Sequence, residues 1–166
     1  MTFEDTRDAI TDTLRGVSGT GIVFSHIRFS ADLESFLSLY TIPHPIDATK
    51  KVPAVTFITR AGPISETAMR DEMQVGVLVN RDETWRIVFM YGFYDDEDSA
   101  GASDTYFQKV VDDIMAAFRW GGGITGTYVV AVHPLICTTC GLFSQELSGY
   151  TCHKAEFQLR IESQIQ

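Results

Sequence analysis

The side chains best suited to metal or redox chemistry gather late in the chain. Cys137 and Cys140 have Cys-x2-Cys spacing, and Cys152 stands beside His153. Cys-x2-Cys is the spacing of half a zinc site, because two thiolates so placed can reach one tetrahedral ion. The other half would need Cys152 and His153 together. These two are adjacent in a stretch that alternates as a regular strand, so their side chains point to opposite faces. One of them can join Cys137 and Cys140; both can do so only if the strand begins later. A redox pair at Cys137 and Cys140 lacks the strand-to-helix setting of a thioredoxin-like motif. Reduced thiols in a loop are the expectation, and three cysteines fit poorly with a disulfide framework. No bound metal or cofactor is expected.

The remaining chemistry-bearing residues point away from catalysis. Four histidines are present: His26, His44, His133 and His153. His44 lies between Pro43 and Pro45 and His133 precedes Pro134, which are loop positions. His153 opens an apolar face and reads as a core or boundary residue. No Gly-x-Ser-x-Gly elbow occurs. Glycines at 16, 19 and 21, and again at 121–123 and 126, lack the Lys-Ser/Thr ending of a phosphate loop. The triple glycine follows a helical pattern and reads as its terminator. The acidic run Asp95, Asp96, Glu97, Asp98 lacks the turn glycine and distal Glu of a calcium loop. It reads as a solvated loop or an electrostatic contact surface. No catalytic residue is assigned, and a non-enzymatic protein is expected.

Bulk properties agree. A length of 166 residues fits one domain, 1–166, and a hydrophobic fraction of 45% allows a core without staples. Thirteen Lys and Arg against 22 Asp and Glu leave a net charge of −9. That disfavours a general or sequence-specific nucleic-acid binder, which needs a basic face, and suits protein partners. No apolar run reaches the roughly 18 residues of a bilayer span, so no membrane partner is expected. The acidic start Met1-Thr2-Phe3-Glu4-Asp5 has no apolar signal core, so synthesis in the cytoplasm is expected.

Periodicity supplies the elements. Residues 3–15 form a helix with Ile10 and Leu14 on one stripe and Gly16 and Gly19 at its end. A strand is expected at 22–29 and a short helix at 30–41, ended by Pro43 and Pro45. A strand at 52–60 carries Pro53 near its start and is broken by Ala61-Gly62-Pro63. A hairpin follows, with strands at 73–80 and 84–94 and a turn at Asn80-Arg81-Asp82-Glu83. Trp85, Ile87, Phe89 and Tyr91 share one face; Val88 and Met90 make the other apolar too. The helix at 105–119 has Phe107, Val110, Val111, Ile114 and Phe118 at helical spacing. A strand at 127–133, a Cys-bearing loop at 134–150 and a strand at 151–163 close the chain. In that last strand His153, Ala155, Phe157, Leu159 and Ile161 point inward. The expected fold is α+β, a mostly antiparallel twisted sheet with two main helices packed on one face.

This order resembles the tail-terminator and tail-completion proteins of long-tailed bacteriophages, the lambda-type minor tail family. The resemblance rests on the acidic first helix and on Val52-Pro53-Ala54-Val55-Thr56-Phe57 opening a strand. It continues through two alternating strands, a helix and a closing alternating strand. This chain is somewhat longer and adds the 30–41 segment and the Cys-bearing loop. The resemblance implies a virion structural protein of the tail or neck. Such a protein forms a ring with itself, usually of six subunits, between the tail-tube protein and a head-side connector protein. No catalytic residues come with the family. The hairpin, apolar on both faces, is the expected intersubunit contact, through Trp85, Ile87, Phe89 and Tyr91 with Asp95, Asp96, Glu97 and Asp98 at its rim. The alternatives are a zinc-stabilised adaptor domain and a small Cys-dependent enzyme.

Overall fold

The computed structural model describes residues 3–26, 40–45, 47–70, 77–92, 101–119, 124, 129–147 and 150–165. The fold is α+β. Among the described residues the elements run α1 (Phe3–Arg15), β1 (Ile22–Phe24), β2 (Thr41–Pro43), β3 (Lys51–Arg70), β4 (Val77–Gly92), α2 (Ala102–Ala117), β5 (Val129–Val132), β6 (Ile136–Leu147) and β7 (Tyr150–Ile165).

The seven strands form a sheet of order β1-β3-β4-β7-β5, with β2 on β3 and β6 on β7. Among the described residues only β1 runs parallel to its neighbour, pairing Ile22 with Val55, and the other pairings are antiparallel. The central register sets Ile58 against Ile87 and Ile87 against Phe157. Because side chains alternate, this puts Ala54, Thr56 and Ile58 on one face with Trp85, Ile87, Phe89, Tyr91, Ala155, Phe157 and Leu159.

Both helices cover that face, as expected. Ile10 and Leu14 of α1 join Phe107, Val110, Val111 and Ile114 of α2 in the main core. Phe107 stacks on Phe89 with ring centroids 5.5 Å apart, and Tyr106 lies 5.1 Å from Tyr91. A fully buried Phe contributes about 1.5–3 kcal/mol in transfer terms, so this aromatic layer accounts for much of the helix–sheet affinity.

The link from α1 to β1 is tight. Thr20 Oγ1 lies 3.1 Å from the carbonyls of both Leu14 and Val17, and its single proton is shared between them at the open end of the helix. Gly21 has φ of 71°, and a Cβ there would run into the Ala54 carbonyl of β3. Only glycine allows this approach. Thr56, buried in the core, returns a hydrogen bond to the Thr20 carbonyl at 2.7 Å. The glycines at 16, 19 and 21 are thus a helix stop and a close crossing.

The second face is partly apolar. Tyr40, Val55, Phe57 and Cys152 form a smaller cluster with Phe24 and Met90 packed against it. The two-sided apolar character of the strands is therefore satisfied in part within the chain.

The structure corrects several sequence expectations. Ala61-Gly62-Pro63 does not end a strand: β3 runs on to Arg70, and the ladder merely shifts register between Ala61 and Ser65. Gly62, at φ of 77°, absorbs that irregularity. Asn80-Arg81-Asp82-Glu83 is not a turn but the middle of a ladder, paired to β3 and β7. Its polarity misleads because the charges meet cross-strand partners. Arg81 lies 2.7 Å from Glu66, and Arg160 of β7 lies 2.6 Å from Asp82. The Cys-bearing loop at 134–150 is largely the twelve-residue strand β6. Thr41–Pro43 is a strand paired with Lys51, Val52 and Pro53, not a helix end. The expected helix at 30–41 up to residue 39, strand residues 73–76, the acidic run and the triple glycine lie outside the described residues.

Candidate functional site

Three groupings of polar side chains emerge from this scaffold. The first is buried. α2 begins at Ala102, which sets Ser103 in its first turn, above the start of β7. The Ser103 hydroxyl lies 3.0 Å from Nε2 of His153. The Asp104 carboxylate is 3.7 Å from Nδ1 of the same ring, beyond good hydrogen-bond length. The imidazole stacks on Phe107 with centroids 5.0 Å apart. The set has the residue types of a Ser-His-Asp triad, but Ser103 is 0% and His153 3% exposed. A nucleophile needs an approach for substrate, and a fully buried hydroxyl offers none. The geometry instead fastens the start of α2 to the sheet. His153 is the buried histidine expected from the sequence. Its partner Ser103, fifty positions away, carries no local signal.

The second grouping is a charged ladder on the face away from the helices. Arg86 meets Glu156 at 2.7 Å across β4 and β7, and Lys154 meets Glu156 at 3.0 Å. Further along, Arg160 bridges Asp82 and Glu162, and His133 reaches Glu162 at 2.8 Å. The Arg86 guanidinium bond holds the Glu156 carboxyl below its ordinary value, and Arg160 does the same for Asp82. On the opposite, helix-facing side of β4, Glu83, 5% exposed, sits between Arg60 at 3.8 Å and Arg81 at 3.6 Å.

The third grouping is the strand edge carrying the cysteines. β6 pairs with β7 alone among the described residues. Ile136 is 61% and Leu142 53% exposed on it, and Val130 of neighbouring β5 is 55% exposed. Exposed aliphatics along an open edge are a template for pairing with another chain. Cys137 is half-buried against the main core and Cys140 is exposed, in contact with Gln108 of α2 at 3.7 Å.

The four metal candidates do not gather. Cys152 lies in the smaller cluster on one face and His153 against Phe107 on the other, as alternation requires. Among the described residues no group of three or more His, Cys, Asp or Glu side chains could hold a metal ion.

The expected contact residues Trp85, Ile87, Phe89 and Tyr91 are corrected. All four are 0% exposed beneath α1 and α2. The chain's own helices occupy the face that the sequence reading offered to a neighbour. Asp95, Asp96, Glu97 and Asp98 lie outside the described residues. Among the described residues no helix is long and apolar enough to cross a membrane. No protein-family model matches this chain, and no curated protein matches it.

Proposed function

We propose that the protein is a non-enzymatic assembly subunit, a tail-terminator or head–tail joining component that forms a ring on the tail tube of a long-tailed bacteriophage. One observation carries the assembly part of this reading: the apolar open edge made by Val130, Ile136 and Leu142. A ring uses two different patches of one subunit, one meeting the other in the next copy. The sheet offers two unlike borders. One is β5 and β6. The other is the outer side of β3 beyond Phe57, which is unpaired among the described residues. Edge-to-edge contact between them would extend the sheet from subunit to subunit and cover the exposed aliphatics. The phage assignment rests on the sequence resemblance in the acidic first helix, the Val52-Pro53-Ala54-Val55-Thr56-Phe57 strand opening, the helix around Phe107 and the closing alternating strand, with the tail-tube protein and a head-side connector as further partners and the virion as destination. The net charge of −9 suits a channel past which DNA slides without sticking, since like charges repel phosphates.

Negative-stain micrographs of the purified chain test this. Closed rings of uniform diameter are the expected result. Isolated small particles at all concentrations would overturn the proposal.

A further inference from the structure

We propose that Cys137 and Cys140 form a redox-modification site, an edge-strand dithiol that closes into an internal disulfide when it meets a disulfide oxidant. In a regular strand, residues three apart point to opposite faces. Here the β6 ladder shifts between Cys137 and Thr139. The extra residue restores Cys140 to the face of Cys137: Cys137 pairs with Phe157 and Cys140 with Ala155, two apart on the same face of β7. The bulge thus turns an unfavourable spacing into a neighbouring pair on one face of the strand.

The two sulfurs are unequal, and this sets an order of events. Cys140 is exposed, while Cys137 is half-buried and donates to the Thr139 carbonyl at 3.4 Å. Burial and the neighbouring thiol push the Cys137 thiol up from its ordinary value. The Gln108 amide lies against the Cys140 sulfur, Nε2 at 3.7 Å and Oε1 at 3.9 Å. Cys140 is therefore the attacking group and Cys137 the resolving one. Cys152, buried on the opposite face, takes no part. Because β6 is bonded on one side only among the described residues, its backbone can adjust to the narrow geometry of an S–S bond.

With oxidised glutathione as the oxidant, the Cys140 thiolate attacks one sulfur of its disulfide. That bond breaks, one glutathione thiolate leaves, and a mixed disulfide forms on Cys140. Cys137 loses its proton to water and attacks the Cys140 sulfur, expelling the second glutathione. Two protein thiols are oxidised to one disulfide, and one glutathione disulfide is reduced to two thiols.

The test is incubation of the dilute, folded chain with oxidised glutathione, followed by acid quench, alkylation and peptide mass spectrometry. The expected product is a peptide carrying Cys137 and Cys140 that has lost two hydrogens, with Cys152 alkylated, and dithiothreitol restores it. Cys137→Ser should stall with one glutathione held on Cys140. Cys140→Ser should react at least about tenfold more slowly than wild type. A wild-type chain that keeps glutathione on Cys140, forms a disulfide between chains, or stays fully reduced would overturn the proposal. The wild-type result decides even if a variant folds poorly.

Discussion

Nε2 of His153 stands 3.0 Å from the Ser103 hydroxyl, and both groups are sealed from solvent by Phe107 and the β7 strand. This bond joins the first turn of α2 to the start of β7. Gly101 before it, at φ of 79°, provides no side-chain cap, so the bond stands where an N-terminal cap would otherwise anchor the helix. Ser103→Ala leaves the ring nitrogen facing an apolar neighbour. The expected cost is about 1–3 kcal/mol, read as a lower urea midpoint with an unchanged slope. An unaltered midpoint would show that the bond does not fasten the helix.

Gly21 and Gly62 both have positive φ, 71° and 77°, but different surroundings. A Cβ at Gly21 would strike the Ala54 backbone, whereas at Gly62 it meets open space. Gly21→Ala should therefore cost about 2–4 kcal/mol, from backbone strain and displacement of β1. Gly62→Ala should cost about 1 kcal/mol, from strain alone. Thermal melts of the two variants compare them directly, and equal losses would contradict the close crossing.

Much of this fold was legible in the sequence. The stripe of α1, the helix around Phe107 and the inward set of β7 from His153 to Ile161 all follow simple periods. Two failures have distinct physical causes. A bulge at Cys137–Thr139 disrupts the alternation of β6, so a strand reads as a loop. Charges at 80–83 read as a turn because their partners, Glu66 and Arg160, are distant in the chain. The site suffered in the same way. An apolar face such as that of Trp85 and Phe89 states that it must be covered, but not whether a helix or a neighbour covers it.

Asp82 and Glu156 make stability fall in acid. Their folded pKa values are held below the ordinary carboxylate range by hydrogen bonds from the Arg160 and Arg86 guanidinium groups. As pH falls, the unfolded chain takes up protons before the folded one does, so unfolding becomes easier. Their contribution is full above the ordinary carboxylate values and disappears as pH drops through the lower folded values. Urea titrations at pH 7 and at successive points below 4.5 should show this decline. Glu156→Gln should flatten it while costing about 1 kcal/mol or less at pH 7. An acid profile indifferent to that change would contradict the role given to the ladder.

Ile136→Lys combined with Leu142→Lys places charge on the open edge without touching the core. Both side chains are more than half exposed, so monomer stability should change by about 0.5 kcal/mol or less for each. Self-association should weaken by about tenfold or more, as lysine on an edge strand opposes pairing. Sedimentation velocity of the variant beside wild type measures this. An unchanged association would move the contact to another surface.

The proposed assembly is a closed ring of identical subunits. Native mass spectrometry of the wild-type chain over a range of concentrations tests it most directly. One dominant species with a fixed integer number of subunits is expected, six being the expected value, with no ladder of larger species. A chain that stays monomeric at the highest concentration, or grows without limit, would contradict it.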